Sequence, residues 1–159
     1  MKKNTRLIIL CILCACIFFG AYSVFHLTSV KPAENSVSQK ILKVLTADGS
    51  MYGYKVLLSD TSELRTKGLS GRPSLGTDEV MLFVFEKEGR NFFWMKDMLF
   101  PIDIIWAGTD RRIIHIEKNV SPETFPKSFG PDENSKYVLE FKAGTADSIG
   151  MKIGDRISF

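Results

Sequence analysis

From Ile41 to Phe159 the apolar residues fall in short runs bounded by Gly, Pro, Asn, Asp and Ser, the spacing of strands rather than long helices. The pattern predicts strands near Ile41 to Ala47, Gly53 to Ser59, Val80 to Glu86, Asn91 to Lys96, Ile102 to Ala107, Arg112 to Lys118, Tyr137 to Phe141 and Arg156 to Phe159. Two short helices are expected. The first follows Asp60-Thr61-Ser62-Glu63, which supplies an N-cap acceptor and a carboxylate behind it, and stops at Gly68. The second lies near Thr145 to Ile149 and ends at Gly150. Many short strands with few helical turns predict a mainly β domain, a compact β-sandwich or an open barrel.

The first residues follow another pattern. Lys2, Lys3 and Arg6, in a basic region over residues 1–6, precede Leu7 to Leu27, which carries no formal charge at neutral pH. An apolar helix of about 20 residues spans a bilayer core. The positive-inside rule keeps the basic residues in the cytoplasm and puts everything after Leu27 outside. The segment is expected to be a transmembrane anchor or signal peptide, with Ala21-Tyr22-Ser23 acceptable to a signal peptidase. Lipidation at Cys16, after Leu13-Cys14-Ala15, is a weaker match because Ile17-Phe18-Phe19 is a poor start for a mature lipoprotein. Residues 28–40 are polar and read as a linker, leaving 41–159 as one extracytoplasmic domain at the cell membrane or exported.

Charge and cysteine usage narrow the chemistry. The net +3 belongs wholly to the N-terminal basic residues, so the domain after Val30 is formally neutral and a nucleic-acid partner is not expected. All three cysteines, Cys11, Cys14 and Cys16, lie in the apolar segment. The domain therefore offers no thiol for catalysis, disulfides or thiolate metal sites.

The run Phe92 to Trp106 sets a few charges among residues that belong in a core. Strand alternation puts Phe92, Trp94 and Lys96 on one side and Phe93, Met95 and Asp97 on the other, the pattern of a central strand covered on both faces. Asp103, between Pro101-Ile102 and Ile104-Ile105-Trp106, needs a partner if ionised, and Arg72 and Lys96 are the candidates. Glu140, inside Tyr137-Val138-Leu139-Glu140-Phe141, raises the same question. Such ions also serve simply to pin turns to sheets. Asn119 to Lys136, with three prolines and the anchors Phe125 and Phe129, is a candidate lid or a loop that caps the sheet.

In order along the chain, Gly68-Leu69-Ser70-Gly71-Arg72, Met81-Leu82-Phe83-Val84-Phe85, Phe93-Trp94-Met95-Lys96-Asp97, Pro101-Ile102-Asp103-Ile104, Tyr137-Val138-Leu139-Glu140 with Ala143-Gly144, and Gly150-Met151-Lys152-Ile153-Gly154-Asp155 resemble domain-of-unknown-function family 192. The resemblance implies a compact β-rich fold, exported or membrane-anchored, with no assigned reaction or cofactor. Ser70 stands where many members have Met and Val80 where most have Gly. Thr109-Asp110-Arg111-Arg112 replaces the usual Asp-Gly turn.

The function expected first is a small-ligand-binding or accessory module of the cell envelope, with Arg72, Trp94 and Lys96 lining a cleft; its partner is a small ligand or an envelope protein. The first alternative is a hydrolase using Asp97, Asp103 or Glu140 as acid and base, which requires two carboxylates about 5 to 10 Å apart in an open cleft. The second is a copper site at Met95 and Met98 with Trp94, and Met81 or His115 as a further candidate; strand alternation would put Met95 and Met98 on opposite faces unless a turn at Asp97 brings them together. No metal or cofactor is assigned, and His115, the domain's only histidine, shares a face with Glu117.

Overall fold

The computed structural model describes residues 40–159, so the apolar segment and nearly all of the linker lie outside the described residues. Among the described residues, no helix is long and apolar enough to cross a membrane. In chain order the elements are β1 (Ile41–Leu45), β2 (Met51–Ser59), α1 (Ser62–Lys67), β3 (Glu79–Gly89), β4 (Phe93–Trp94), β5 (Ile102–Ala107) and β6 (Ile113–Val120). A 3-10 turn (Pro122–Thr124), β7 (Ser128–Phe129), β8 (Ser135–Lys142), α2 (Thr145–Ser148) and β9 (Arg156–Ser158) follow.

Seven strands form one sheet in the order β6-β5-β8-β3-β2-β1-β9. Among the described residues only β2 and β3 pair in parallel, with α1 as the crossover between them. The edges meet at one corner, where Arg112 bridges Arg156 and Ile113 N–H donates to the Asp155 carbonyl at 2.8 Å. The result is a curled half-barrel with two short helices, which selects the open-barrel expectation over the sandwich.

Strand alternation sorts the core into two layers. Val80 and Leu82 of β3, Ile105 and Ala107 of β5, and Leu139 and Phe141 of β8 pack on one face with Leu42, Val44 and Ile157. Met81 and Phe83, Ile104 and Trp106, and Val138 pack on the other with Leu69, Met95, Met98 and Phe129. The doubly covered strands are therefore the central ones, and β5 is buried at every position.

The segment at 91–96 differs from its expected form. Only Phe93 and Trp94 are extended, and they pair with β7 in a separate two-stranded ribbon laid over the second layer. The chain turns at Asp97 (φ 56), which breaks the alternation read from the sequence. Bulky residues on both sides here reflect packing under an irregular cover, not a central strand.

Candidate functional site

Gly68, Leu69, Ser70 and Gly71 form the corner on which the site is built. Thr61 caps α1 by accepting from Leu64 N–H, and Gly68 ends it with its own N–H donating to the Leu64 carbonyl. Ser70 Oγ donates to the Lys96 carbonyl at 2.9 Å and Gly71 N–H to the Asp97 carbonyl at 2.8 Å. These bonds staple the glycine-rich turn to the turn after β4, while Leu69 is buried beneath.

Between this corner and the segment Arg90 to Trp94 lies an open cleft of about 480 Å³. Arg65, Lys67, Arg90, Phe92 and Trp94 are among its rim residues, and Phe83, Phe93 and Glu140 lie deeper. Trp94 is 57% exposed and leans edge-on against Phe125, with ring centroids 5.9 Å apart. Phe92 covers Gly130, where a Cβ would lie 2.8 Å from the ring, so the glycine makes room for that wall.

Glu140 is the distinctive group. It projects from β8 between Met81 of β3 and Ile104 of β5, its directly paired neighbours, and is only 5% exposed. Among the described residues its Oε2 has no hydrogen-bond partner. Burial without compensation pushes its carboxyl up to about 8, so it is a neutral acid at neutral pH. Such a group can donate a hydrogen bond or hold a proton, and buried orphan polar atoms of this kind are uncommon in native folds.

Two of the six expected site residues, Trp94 and Glu140, meet at this cleft. Arg72, Lys96, Asp97 and Asp103 are not among its lining residues. Lys96 and Asp97 are exposed beside the stapled turn, and Arg72 closes that turn through its N–H to the Leu69 carbonyl.

Asp103 corrects a specific expectation. It is fully buried yet forms no ion pair with Arg72 or Lys96. Its Oδ1 accepts from Asn119 N–H at 2.8 Å and Gly144 N–H at 3.2 Å, and its Oδ2 accepts from Ala146 N–H at 2.8 Å. The carboxylate thus satisfies backbone donors at the β6 irregularity and the start of α2. It sits on the α2 side of the sheet, with Ile105 and Ala146, whereas Glu140 faces the other layer. Among the described residues no second carboxylate lines the cleft with Glu140, so the carboxylate-pair geometry is not formed by them there.

The loop Asn119 to Lys136 is not a lid over this cleft, since none of its residues lines it. Instead β7 pairs with β4 and Phe129 is buried, so the loop braces Trp94 from outside. The turn at Asp97 does bring Met95 and Met98 into one buried layer, rather than onto opposite faces. Both are enclosed, Met95 being 1% exposed, which is the packing of core filler. His115 is half-buried, 3.1 Å from Glu117 Oε1 and edge-on to Trp106. Among the described residues no cluster of three or more His, Cys, Asp or Glu side chains has metal-binding spacing.

A family model matches residues 43–159. The chain belongs to domain-of-unknown-function family 192, described as an uncharacterized ACR. Crystal structures of the fold agree. A Sinorhizobium meliloti protein, provisionally described as a transcription regulator, is 30% identical with a TM-score of 0.72, the match covering 76% of this chain and 92% of that one. A Novosphingobium aromaticivorans protein of unknown function is also 30% identical with a TM-score of 0.72, over 82% of this chain and 94% of that one. No curated protein matches.

Within the family frame, Val80 is fully buried in the first layer and fills space there. Sequence reading did not single out Lys67 or Arg90. Neither carries a local signal, because their association depends on the crossover that sets α1 beside the end of β3.

Proposed function

We propose that this family 192 domain is a small-ligand-binding module of the cell envelope, held outside the cytoplasm by Leu7 to Leu27 and binding through the cleft above Glu140. The observation that carries the reading is a buried, unpartnered carboxyl group at the base of an open cleft with exposed aromatic walls. A concave site with few polar groups among aromatic side chains suits small polar ligands. The hydrolase alternative loses weight because Glu140 has no carboxylate beside it among the lining residues. Regulation of transcription, the provisional description of the Sinorhizobium neighbour, has little support in a domain whose formal charge is balanced after Val30.

Thermal unfolding of the full chain in mild detergent, with panels of ring compounds and short peptides, tests the binding function. A ligand at about 100 times its Kd adds roughly 2.7 kcal/mol of stability. A shift lost in Trp94→Ala supports the cleft, while a shift that survives that change overturns its placement there. A reporter fused after Phe159 tests the location, and reporter activity in the cytoplasm would overturn it.

A further inference from the structure

Resting on the reading of this cleft as a ligand site, its charge and chemistry narrow what it takes. Among the described residues three cationic side chains line it against one acid. Arg65 is committed: its guanidinium donates to the Asp60 and Val84 carbonyls at 2.6 and 3.0 Å and lies over the Phe85 ring. Lys67 and Arg90 are exposed and form no ion pair among the described residues. Asn91, also on the lining, already spends its amide on Ser135. Among the described lining residues the cleft offers a ligand the unpaired cations Lys67 and Arg90 at the mouth, aromatic faces at Phe92 and Trp94, and the orphan carboxyl of Glu140 at the base.

We infer that the cleft binds a small organic carboxylate carried on a ring, the anionic group held by Lys67 and Arg90, the ring against Phe92 and Trp94, and a ligand oxygen accepting from the Glu140 carboxyl. The planar fork of arginine matches a carboxylate. Aromatic walls favour a body with a broad apolar face, which can be the C–H face of a sugar ring or the face of an arene. A ligand led by an ammonium group is disfavoured at the mouth by Lys67 and Arg90.

Protonation gives a second handle. The charged groups lining the cleft around Glu140 are Arg65 and Lys67 of α1 and Arg90 after β3, while its neighbours on β3 and β5, Met81 and Ile104, are apolar. With its carboxyl held at about 8, Glu140 remains a donor through neutral pH. Above that it becomes an anion facing another anion.

The test is calorimetric titration of the full chain with two charge series on fixed bodies: phenylacetate, 2-phenylethanol and phenethylamine, and glucuronate, glucose and 6-amino-6-deoxyglucose. In at least one series the carboxylate is expected to bind about tenfold or more tightly than the alcohol, a gap of about 1.4 kcal/mol. Lys67→Ala with Arg90→Ala should erase that gap by weakening the carboxylate far more than the alcohol. Carboxylate affinity should hold to about pH 8 and fall above it, and Glu140→Gln should remove the fall. Tighter, Trp94-dependent binding of the amine or the neutral member overturns the carboxylate inference and leaves the binding reading standing. Absence of binding by every member of both series overturns the inference by itself, and the binding reading falls too only if the wider panel also fails.

Discussion

Gly68 stands directly over Glu140: a Cβ at Gly68 would lie 4.0 Å from Glu140 Oε2 and 3.4 Å from Phe83 Cζ. Its backbone (φ 49, ψ −134) is one that side-chain-bearing residues avoid. The same glycine therefore ends α1 and lines the cleft beside its buried acid. Gly68→Ala is expected to lower stability by about 1 to 3 kcal/mol through backbone strain. Chemical denaturation measures this, and an unchanged midpoint would show that the corner relaxes freely.

Glu140 makes stability depend on pH in a defined direction. Burial raises its carboxyl from 4.5 to about 8, so across that interval the native state keeps a proton that the unfolded chain has released. Its favourable contribution is complete below about pH 4.5, declines as pH rises to about 8, and is flat beyond, with a slope of at most about 1.4 kcal/mol per pH unit. Glu140→Gln copies the shape of the neutral acid and removes the ionisation. The variant should match the native protein below about pH 4.5 and exceed its stability by a growing margin as pH rises to about 8. Parallel urea midpoints for the two proteins across the range would refute the assignment.

What could be read from sequence divides along the range of the interactions involved. The runs of β3, β5 and β8, the cap at Thr61 and the stop at Gly68 were legible because alternation and capping are local. The Phe92 to Asp97 segment departs from the expected central strand because a two-residue strand and a left-handed Asp97 leave no periodic trace. Asp103 was recognised as buried and in need of a partner, yet the partners are backbone N–H groups, which every residue but proline carries and no sequence pattern marks. Trp94 and Glu140 were identified singly. Their shared cleft with Lys67 and Arg90 follows from sheet order and the α1 crossover, which are non-local.

Asp103→Asn tests the three-donor site. An asparagine offers one acceptor oxygen and turns an NH2 toward donors, leaving at least one buried N–H unpaired. Stability should fall by about 2 to 4 kcal/mol. Asp97→Asn is the matched control: Asp97 is exposed and left-handed, a conformation asparagine accepts, so its change should stay within about 0.5 kcal/mol. Equal effects from the two substitutions would remove the structural role given to Asp103.

The two tryptophans allow the cleft wall to be followed separately from the core. Trp106 is fully buried and its indole N–H donates to the Asn91 carbonyl at 2.7 Å, tying the core to the segment that leads into the cleft. Trp94 is largely exposed, and its contact with Phe125 is an edge-on pair of a kind that contributes about 0.5 to 1.5 kcal/mol. Trp94→Phe should therefore cost less than about 1.5 kcal/mol and leave blue-shifted emission from Trp106. In the native protein, acrylamide should quench a red-shifted component that the variant lacks. Trp106→Phe should instead lose the buried donor and destabilise by about 2 kcal/mol or more, since the Asn91 carbonyl loses its partner and the layer loses volume. If Trp94→Phe proved the more damaging change, Trp94 would be a core residue, and the aromatic wall of the cleft would have to be abandoned.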